Sequence, residues 1–319
     1  NRKILYTENL VELLRESKVY IQTTNLMGVV STYRLHVQNI EFNQAFKQES
    51  YKTKTLHHKY DEGWYDGSSI TTANNANFSI STHMVDESST HQHKLIELLL
   101  KTESRKPETF TLFIDPQKED KMYKIESCVI TSGSFSLPRG GIMTAAFEGQ
   151  GTKLTRINKV TLTDGSYTET KDLSFAVARR VDVTVNSQAL ENVLGVTLEI
   201  QNDIEWIKSK TLQSSLSVTD STNSIYPANF VLQKRTVAGN ITQYVNQKVT
   251  QSNANVQSWK ENIPIHIKAG LSTSNYQLNA QLTPCSYTNR VNPSEAFTQS
   301  YDFRLLPQVT PLTTLIQHT

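Results

Sequence analysis

A chain of 319 residues has room for about two domains of ~150 residues, and its 37% hydrophobic and 19% charged content is globular, not disordered. A formal net charge of +2 excludes a strongly basic nucleic-acid reader and a protein held on anionic lipid by charge alone. Cys128 and Cys285, one late in each half, are too few for a disulfide framework or a thiolate metal site, and no apolar run approaches the ~20 residues of a transmembrane helix.

The first stretch, NRKILYTENLVELLRES, is charged and amphipathic without a signal-peptide apolar core, and the expectation is a chain folded in a cytoplasm. Within it Thr7 can cap a short helix to Ser17, with Leu10, Leu13 and Leu14 on one face, as an arm on the first domain. Strands are predicted over Val19 to Thr23 and Thr32 to Phe42, where Tyr33, Leu35 and Val37 alternate with Arg34, His36 and Gln38. SYKTKTLHHKY predicts a third strand, with Tyr51, Thr53, Thr55 and His57 on one face and Lys52, Lys54, Leu56 and His58 on the other. A strand so polar on both faces either edges a sheet or lines a wet surface. DEGWYDGSSITTANNAN is rich in turn residues and reads as a loop leading into Asn77-Phe78. From Ser89, with Gln92 completing a capping box, HQHKLIELLLKT predicts the clearest helix, burying Leu95, Leu98 and Leu99. TFTLFIDP is another strand, and the segment from Lys121 to Ile157 predicts two long strands around a turn.

VTLTDGSYTETK then carries a type I′ hairpin signal at Asp164-Gly165 and reads as a connector. Beyond it the chain repeats itself. Val19 and Ile21 recur as Val181 and Val183, and Leu35, Val37, Gln38 and Asn39 recur as Leu198, Ile200, Gln201 and Asn202, 163 residues further on. The polar strand recurs in IKSKTLQ, where Lys208, Lys210 and Leu212 match Lys52, Lys54 and Leu56 at a spacing of 156. A polar loop, Ser214 to Ala228, again leads into Asn-Phe at Asn229-Phe230; Val256 to Glu261 hints at a shortened helix; NIPIHIKAG matches TFTLFIDP; and two long strands again close the copy. The first copy has about eight extra residues after Glu41-Phe42. The tail after Leu306 predicts an extended arm. The organisation predicted is an arm over 1–18, a first copy over 19–157, a connector hairpin over 158–180, a second copy over 181–306 and an arm over 307–319.

Reactive constellations are scarce. The sequence has no Gly-x-Ser-x-Gly elbow, His-Glu-x-x-His helix, Walker A loop or Cys-x-x-Cys pair. His91 and His93 stand at a helix start without a carboxylate or Cys at ligand spacing, and His57 and His58 point to opposite faces of one strand. Asp61, Glu62, Asp66, Asp86 and Glu87 read as solvated loop charge, not a catalytic pair. FEGQGTKL is superficially like the last strand of an antibody variable domain, but Cys128 and Cys285 are 157 residues apart, beyond one sandwich of about 100 residues. Gly149 and Gly151 lack the third glycine and the βαβ setting of a dinucleotide site. No enzyme activity, cofactor or metal is predicted. The set Tyr51, Lys52, Lys54, His57, Lys59 and Tyr60 could touch a nucleic-acid strand, although ordinary exposed strand residues account for it as well.

The run DVTVNSQALENVLGVTLEIQNDIEW, Lys210-Thr211, the Tyr226-Pro227 loop and KRTVAGNITQYV, together with SGSFSLPRGGIMTAAFEGQG in the first copy, resemble phage tail tube proteins. The resemblance implies an α+β, mainly β fold: two tandem β-sandwich or barrel domains, each with one flanking helix, whose hairpins join neighbours into a continuous barrel. It further implies a homotrimeric, pseudo-hexameric ring, stacked into a virion conduit for DNA ejection and assembled in the host cytoplasm. The implied partners are further copies of the chain, tape-measure, tail terminator and baseplate proteins, and transient non-specific contact with genomic DNA, with a sheath left open. In that setting Thr53, Thr55, Ser209 and Thr211 are lumen candidates, because a wall lined by lysine would retain DNA. Lys52, Lys54, Phe42, Lys208, Lys210 and Trp206 are subunit-interface candidates. A baseplate or hub ring of the same fold, and a β-rich receptor- or glycan-binding tail protein, are the alternatives.

Overall fold

The computed structural model describes residues 17–25, 27–50, 69–84, 92–103, 106–117, 120–163, 178–207, 225–245, 259–270, 276–293 and 296–318. The first half holds β1 (Lys18–Thr24), β2 (Val30–Leu35), β3 (Asn39–Ser50), β4 (Ser69–His83), α1 (Gln92–Leu100), β5 (Thr102–Glu103), β6 (Lys106–Pro107), β7 (Phe110–Asp115), β8 (Lys121–Pro138), β9 (Thr144–Gly151) and β10 (Lys153–Asn158). The second holds β11 (Arg180–Val185), β12 (Gln188–Ala189), β13 (Val193–Ile207), β14 (Asn229–Tyr244), β15 (Trp259–Gly270), β16 (Tyr276–Asn292), β17 (Thr298–Leu305), α2 (Leu312–Leu315) and β18 (Ile316–His318). The class is the mainly β, α+β one that the alternating sequence predicts.

Eight of these strands lie side by side in the order β3-β4-β9-β8-β13-β14-β17-β16, every neighbouring pair antiparallel. The early part of β8 carries β7, β1 and β2 on one side and β10 on the other; the early part of β16 carries β15, β11 and β12 on one side and β18 on the other. One succession of ladders thus occurs twice, and three stations align the two occurrences. Phe110 lies opposite Cys128 and Ile263 opposite Cys285, each followed by a register shift to Leu112–Ile125 and Ile265–Leu282. Ile40, Ile80, Phe147 and Gly133 form one cross-strand row, and Val196, Ile241, Tyr301 and Asn289 form the other. Finally, Phe78 stands opposite Gly149 while Gly239 stands opposite Phe303, so the aromatic ring has changed strands. In both pairs the ring fills the space of the missing Cβ: one built on Gly149 would lie 2.0 Å from Phe78 Cζ, and one on Gly239 would lie 2.5 Å from Phe303 Cζ. A ring over a cross-strand glycine recovers the packing that the glycine gives up.

These rows correct the sequence alignment. Val196 takes the place of Ile40, a spacing of 156, so β13 matches β3. Leu35, set against Leu198 by the spacing of 163, belongs to β2, which folds back on β1. The extra residues therefore precede β3, in a longer β1–β2 hairpin. The reason is physical: β2 and β13 are alternating apolar runs with the same period, and periodicity alone does not say which neighbour a strand pairs.

Other expectations shift locally. The predicted strand from Thr32 to Phe42 is broken between β2 and β3, and the predicted loop is a strand from Ser69 onward. Its centre, ANNAN over 73–77, lacks strand formers, but pairing with β3, and from Ala76 onward also with β9, supplies the stability that propensity does not. The last residues of the hinted second helix, Trp259 to Glu261, open β15. The tail does not simply extend: α2 buries Leu312 and Leu315, and β18 pairs with β16. A type I′ turn sits at Asn186-Ser187, both with positive φ, between the paired Val185 and Gln188. The predicted one at Asp164-Gly165, and the helix from Thr7, lie outside the described residues.

The main core is a continuous cluster running through both halves, and Tyr20, Phe113 and Met122 form a second, small one. Helix α1 buries Leu95, Leu98 and Leu99, as its spacing predicts, and also Ile96 and Leu100. It is covered on more than one side because it lies where the halves meet.

Candidate assembly interface

The two halves are joined edge to edge. Residues 132–138 of β8 pair with residues 195–201 of β13, from Ser132 opposite Gln201 to Pro138 opposite Gly195. Phe135 and Leu198 face each other there, both fully buried. The C-terminal end of α1 closes this joint. Arg235, on β14, donates through Nη1 to the carbonyl of Leu100 (2.8 Å), through Nη2 to that of Leu99 (2.5 Å) and through Nε to Asn202 Oδ1 (2.7 Å). The buried Asn202 in turn donates to the carbonyls of Ile130 (3.0 Å) and Leu99 (3.3 Å). A guanidinium suits the negative end of a helix, whose last carbonyls have no partner within the helix. Desolvation pulls the Arg235 pKa down to about 10, which leaves it protonated at neutral pH.

Further along, β13 and β14 lean on the first half. Trp206 packs on Phe230, their centroids 5.1 Å apart, and donates its indole N–H to Gln150 Oε1 at 2.8 Å. The Ala73 amide donates to the Ile225 carbonyl (3.0 Å), and Tyr226 receives the Phe46 edge and the Lys153 ammonium. Between these contacts lies a groove of about 470 Å³, lined by Trp206, Gln150 and several asparagines. Among the described residues no group of His, Cys, Asp or Glu could hold a metal ion. Burial pushes the Cys285 thiol up to about 12 and the Cys128 thiol higher still, so neither is a nucleophile at neutral pH.

Of the ten lumen and subunit-interface candidates named from sequence, two are described. Trp206 lies at the joint between the halves of one chain. Phe42, on β3, is half-buried with its ring 5.2 Å from Tyr123. Thr53, Thr55, Ser209, Thr211, Lys52, Lys54, Lys208 and Lys210 lie outside the described residues. Sequence reasoning missed Arg235 and noted Asn202 only as part of the echo. The available signal was Asn202 alternating with apolar Leu198 and Ile200, on the face meant for the core.

The joint leaves two edges. No described strand lies on the outer side of β3, and the pairing of β15 with β16 is described only as far as Trp259 opposite Thr288, so no described strand flanks Arg290 to Asn292 on that side. A strand edge without a neighbour is a template for another strand. Residues 10–316 match the Bacteriophage Baseplate Tube Protein Family. The chain belongs to this family. A baseplate tube protein is a structural component of the phage tail or baseplate, so the chain is a virion tail or baseplate component that meets other such components. The resemblance to tail tube proteins is thereby borne out at the level of the family. No curated protein matches the chain.

Proposed function

We propose that three copies of this chain close into a ring of six similar units, a segment of tube through which DNA leaves the virion. The carrying observation is the repeated order β3-β4-β9-β8 and β13-β14-β17-β16, joined by one β8–β13 ladder, with a β3-type edge at one end and a β16-type edge at the other. Such a chain is a tandem duplication of one unit, and its ends are head and tail of one contact. A head-to-tail contact makes a ring when its rotation closes. The tandem architecture predicted from sequence is retained in this reading, with its internal alignment corrected as above.

The sheet face turned away from the core supports the conduit. It presents Glu41, Asn43, Glu148, Ser134 and Glu199, together with two arginines, Arg290 beside Asp302 at 3.8 Å and Arg304 in the cross-strand row of Glu199. Small hydroxyls, amides and carboxylates give DNA phosphates little to hold, whereas each lysine or arginine contact would add salt-dependent affinity. The protein acts by shape and needs no reactive residue. Its partners are copies of itself, the tape-measure protein, and terminator or other baseplate proteins.

Mass photometry and negative-stain microscopy test the proposal. The expected particle is a six-lobed ring of three chains, three times 36.1 kDa or about 108 kDa. Stacking into long hollow tubes would place it along the tail, and isolated rings would place it at the baseplate. Monomers at every accessible concentration, above all monomers that bind cell-wall glycans, would overturn it.

A further inference from the structure

We infer that residues 289–292 of β16 pair antiparallel with residues 41–44 of β3 in a second copy of this chain, Glu41 opposite Asn292, Phe42 opposite Val291, Asn43 opposite Arg290 and Gln44 opposite Asn289. The inference rests on the ring proposed above and fixes its contact strand by strand.

The register comes from the chain's own joint. In the first half the row Ile40–Ile80–Phe147–Gly133 continues across the joint to Ile200, four residues beyond Val196 on β13. The matching row of the second half, Val196–Ile241–Tyr301–Asn289, ends at β16. Its continuation is the residue four beyond Ile40 on β3 of the next chain, which is Gln44. The remaining pairs follow by antiparallel counting.

Chemistry agrees with the count on both faces. Phe42 and Val291 take the positions of Leu198 and Phe135, which are fully buried in the internal joint. Phe42 and Val291 are only half-buried in the single chain, as expected of two core positions that lack their cover. On the opposite face Arg290, 62% exposed, lies diagonal to Glu41, and opposite charges at cross-strand diagonals attract. A slip of one residue would turn Phe42 toward Arg290 or Asn292 and would break both agreements.

The test is a disulfide bridge in the full chain. Asn43→Cys with Arg290→Cys places two thiols opposite each other across the proposed ladder, at the station where Glu199 faces Ser134 internally. Asn39→Cys with Arg290→Cys is the control, four residues out of register. The native thiols are buried and do not compete. Mild oxidation is expected to link most of the first variant into covalent trimers on non-reducing gels, and little of the control. Three-membered rings seen by microscopy with no link, or with links in the control alone, would overturn this register and leave the ring standing. Wild-type chains that form no ring would overturn both. Charge exchange needs no cysteine: Glu41→Arg is expected to weaken ring formation about tenfold, and Glu41→Arg with Arg290→Glu to restore most of it. Restoration failing while both variants stay folded by circular dichroism would also count against the ladder.

Discussion

Replacing Arg235 by Met tests whether the guanidinium locks the two halves together. The substitution keeps much of the aliphatic stem but removes three donations, to the carbonyls of Leu99 and Leu100 and to Asn202 Oδ1. Leu99 retains Asn202 Nδ2 at 3.3 Å, so two acceptors, the Leu100 carbonyl and Asn202 Oδ1, lose the donor that joined them to β14. Stranding a buried acceptor costs about 1–3 kcal/mol, and part of each loss is returned where water can enter beside the half-buried Arg235. A net loss of about 3 kcal/mol is the expectation, a large share of the ~5–15 kcal/mol by which folded proteins are stable. Urea unfolding followed by tryptophan fluorescence reads the effect, Trp206 at the joint being one of the three tryptophans that contribute. Arg235→Lys keeps the charge but not the fork and should recover less than half of the loss. A change below about 0.5 kcal/mol for the Met variant would refute the lock.

Three further outcomes are expected. Gly239→Ala should destabilise by roughly 2–4 kcal/mol, since its Cβ would lie 2.2 Å from the Thr197 carbonyl oxygen as well as against Phe303; an urea midpoint unchanged from wild type would contradict the close approach. Cys128 and Cys285 should resist iodoacetamide at pH 8 in buffer and react in urea, with alkylation counted by mass spectrometry. Both folded thiols hold their protons where unfolded thiols, with an ordinary value of 9.0, release them. Their contribution is therefore intact below pH 9 and is lost as pH rises above it, by about 1.4 kcal/mol per thiol at pH 10. The double variant Cys128→Ala with Cys285→Ala should show a correspondingly flatter fall in stability between pH 8 and 10.

The class of the fold was legible because β11 and the stretch Val196 to Gln201 of β13 alternate apolar and polar residues, and α1 repeats leucine at helical spacing. The echo between the two halves was visible in the sequence too, but the strands it sets side by side do not hold matching places in the ladders. Leu35-His36-Val37-Gln38-Asn39 resembles Leu198-Glu199-Ile200-Gln201-Asn202 closely, yet Leu35 pairs with β1 while Leu198 pairs with β8 and β14. The weaker lysine echo, at a spacing of 156, gave the spacing that the cross-strand rows confirm for β3 and β13. Phe78–Gly149 and Gly239–Phe303 were invisible because the ring and the glycine exchange strands, so neither residue matches its own type in the other half. Phe42 and Trp206 stood out in the sequence as aromatic residues; the chain sets Phe42 against Tyr123 and Trp206 against Phe230 and Gln150. Arg235 did not stand out, since its role depends on α1 meeting β14 across 135 residues of chain.

In the proposed ring, the difference between the two kinds of joint has a physical reason. The β8–β13 joint forms within one chain and never faces water, so it can set Leu198 against Phe135 and Ile200 against Gly133. The β16–β3 joint must wait, exposed, until another chain arrives. Its inward positions are accordingly more polar, Gln44 and Asn289 replacing Ile200 and Gly133, and its outward positions carry Glu41 and Arg290. Charged and amide side chains on an open edge oppose indiscriminate pairing, and opposite charges still favour the correct partner. Duplication also reduces the joints that must form by collision from six to three, and each one avoided spares an association cost of ~4–15 kcal/mol in lost translational and rotational freedom. A half-chain unit would have to meet that cost at every joint, and with the polar edge at all six it would have the least adhesive surface where it needed the most. Asn43→Val makes the trade measurable, since Asn43 is exposed on β3: rings should form at several-fold lower concentration, while the unassembled chain aggregates more readily. Weaker assembly from this variant would mean that Asn43 does not stand on the joining edge.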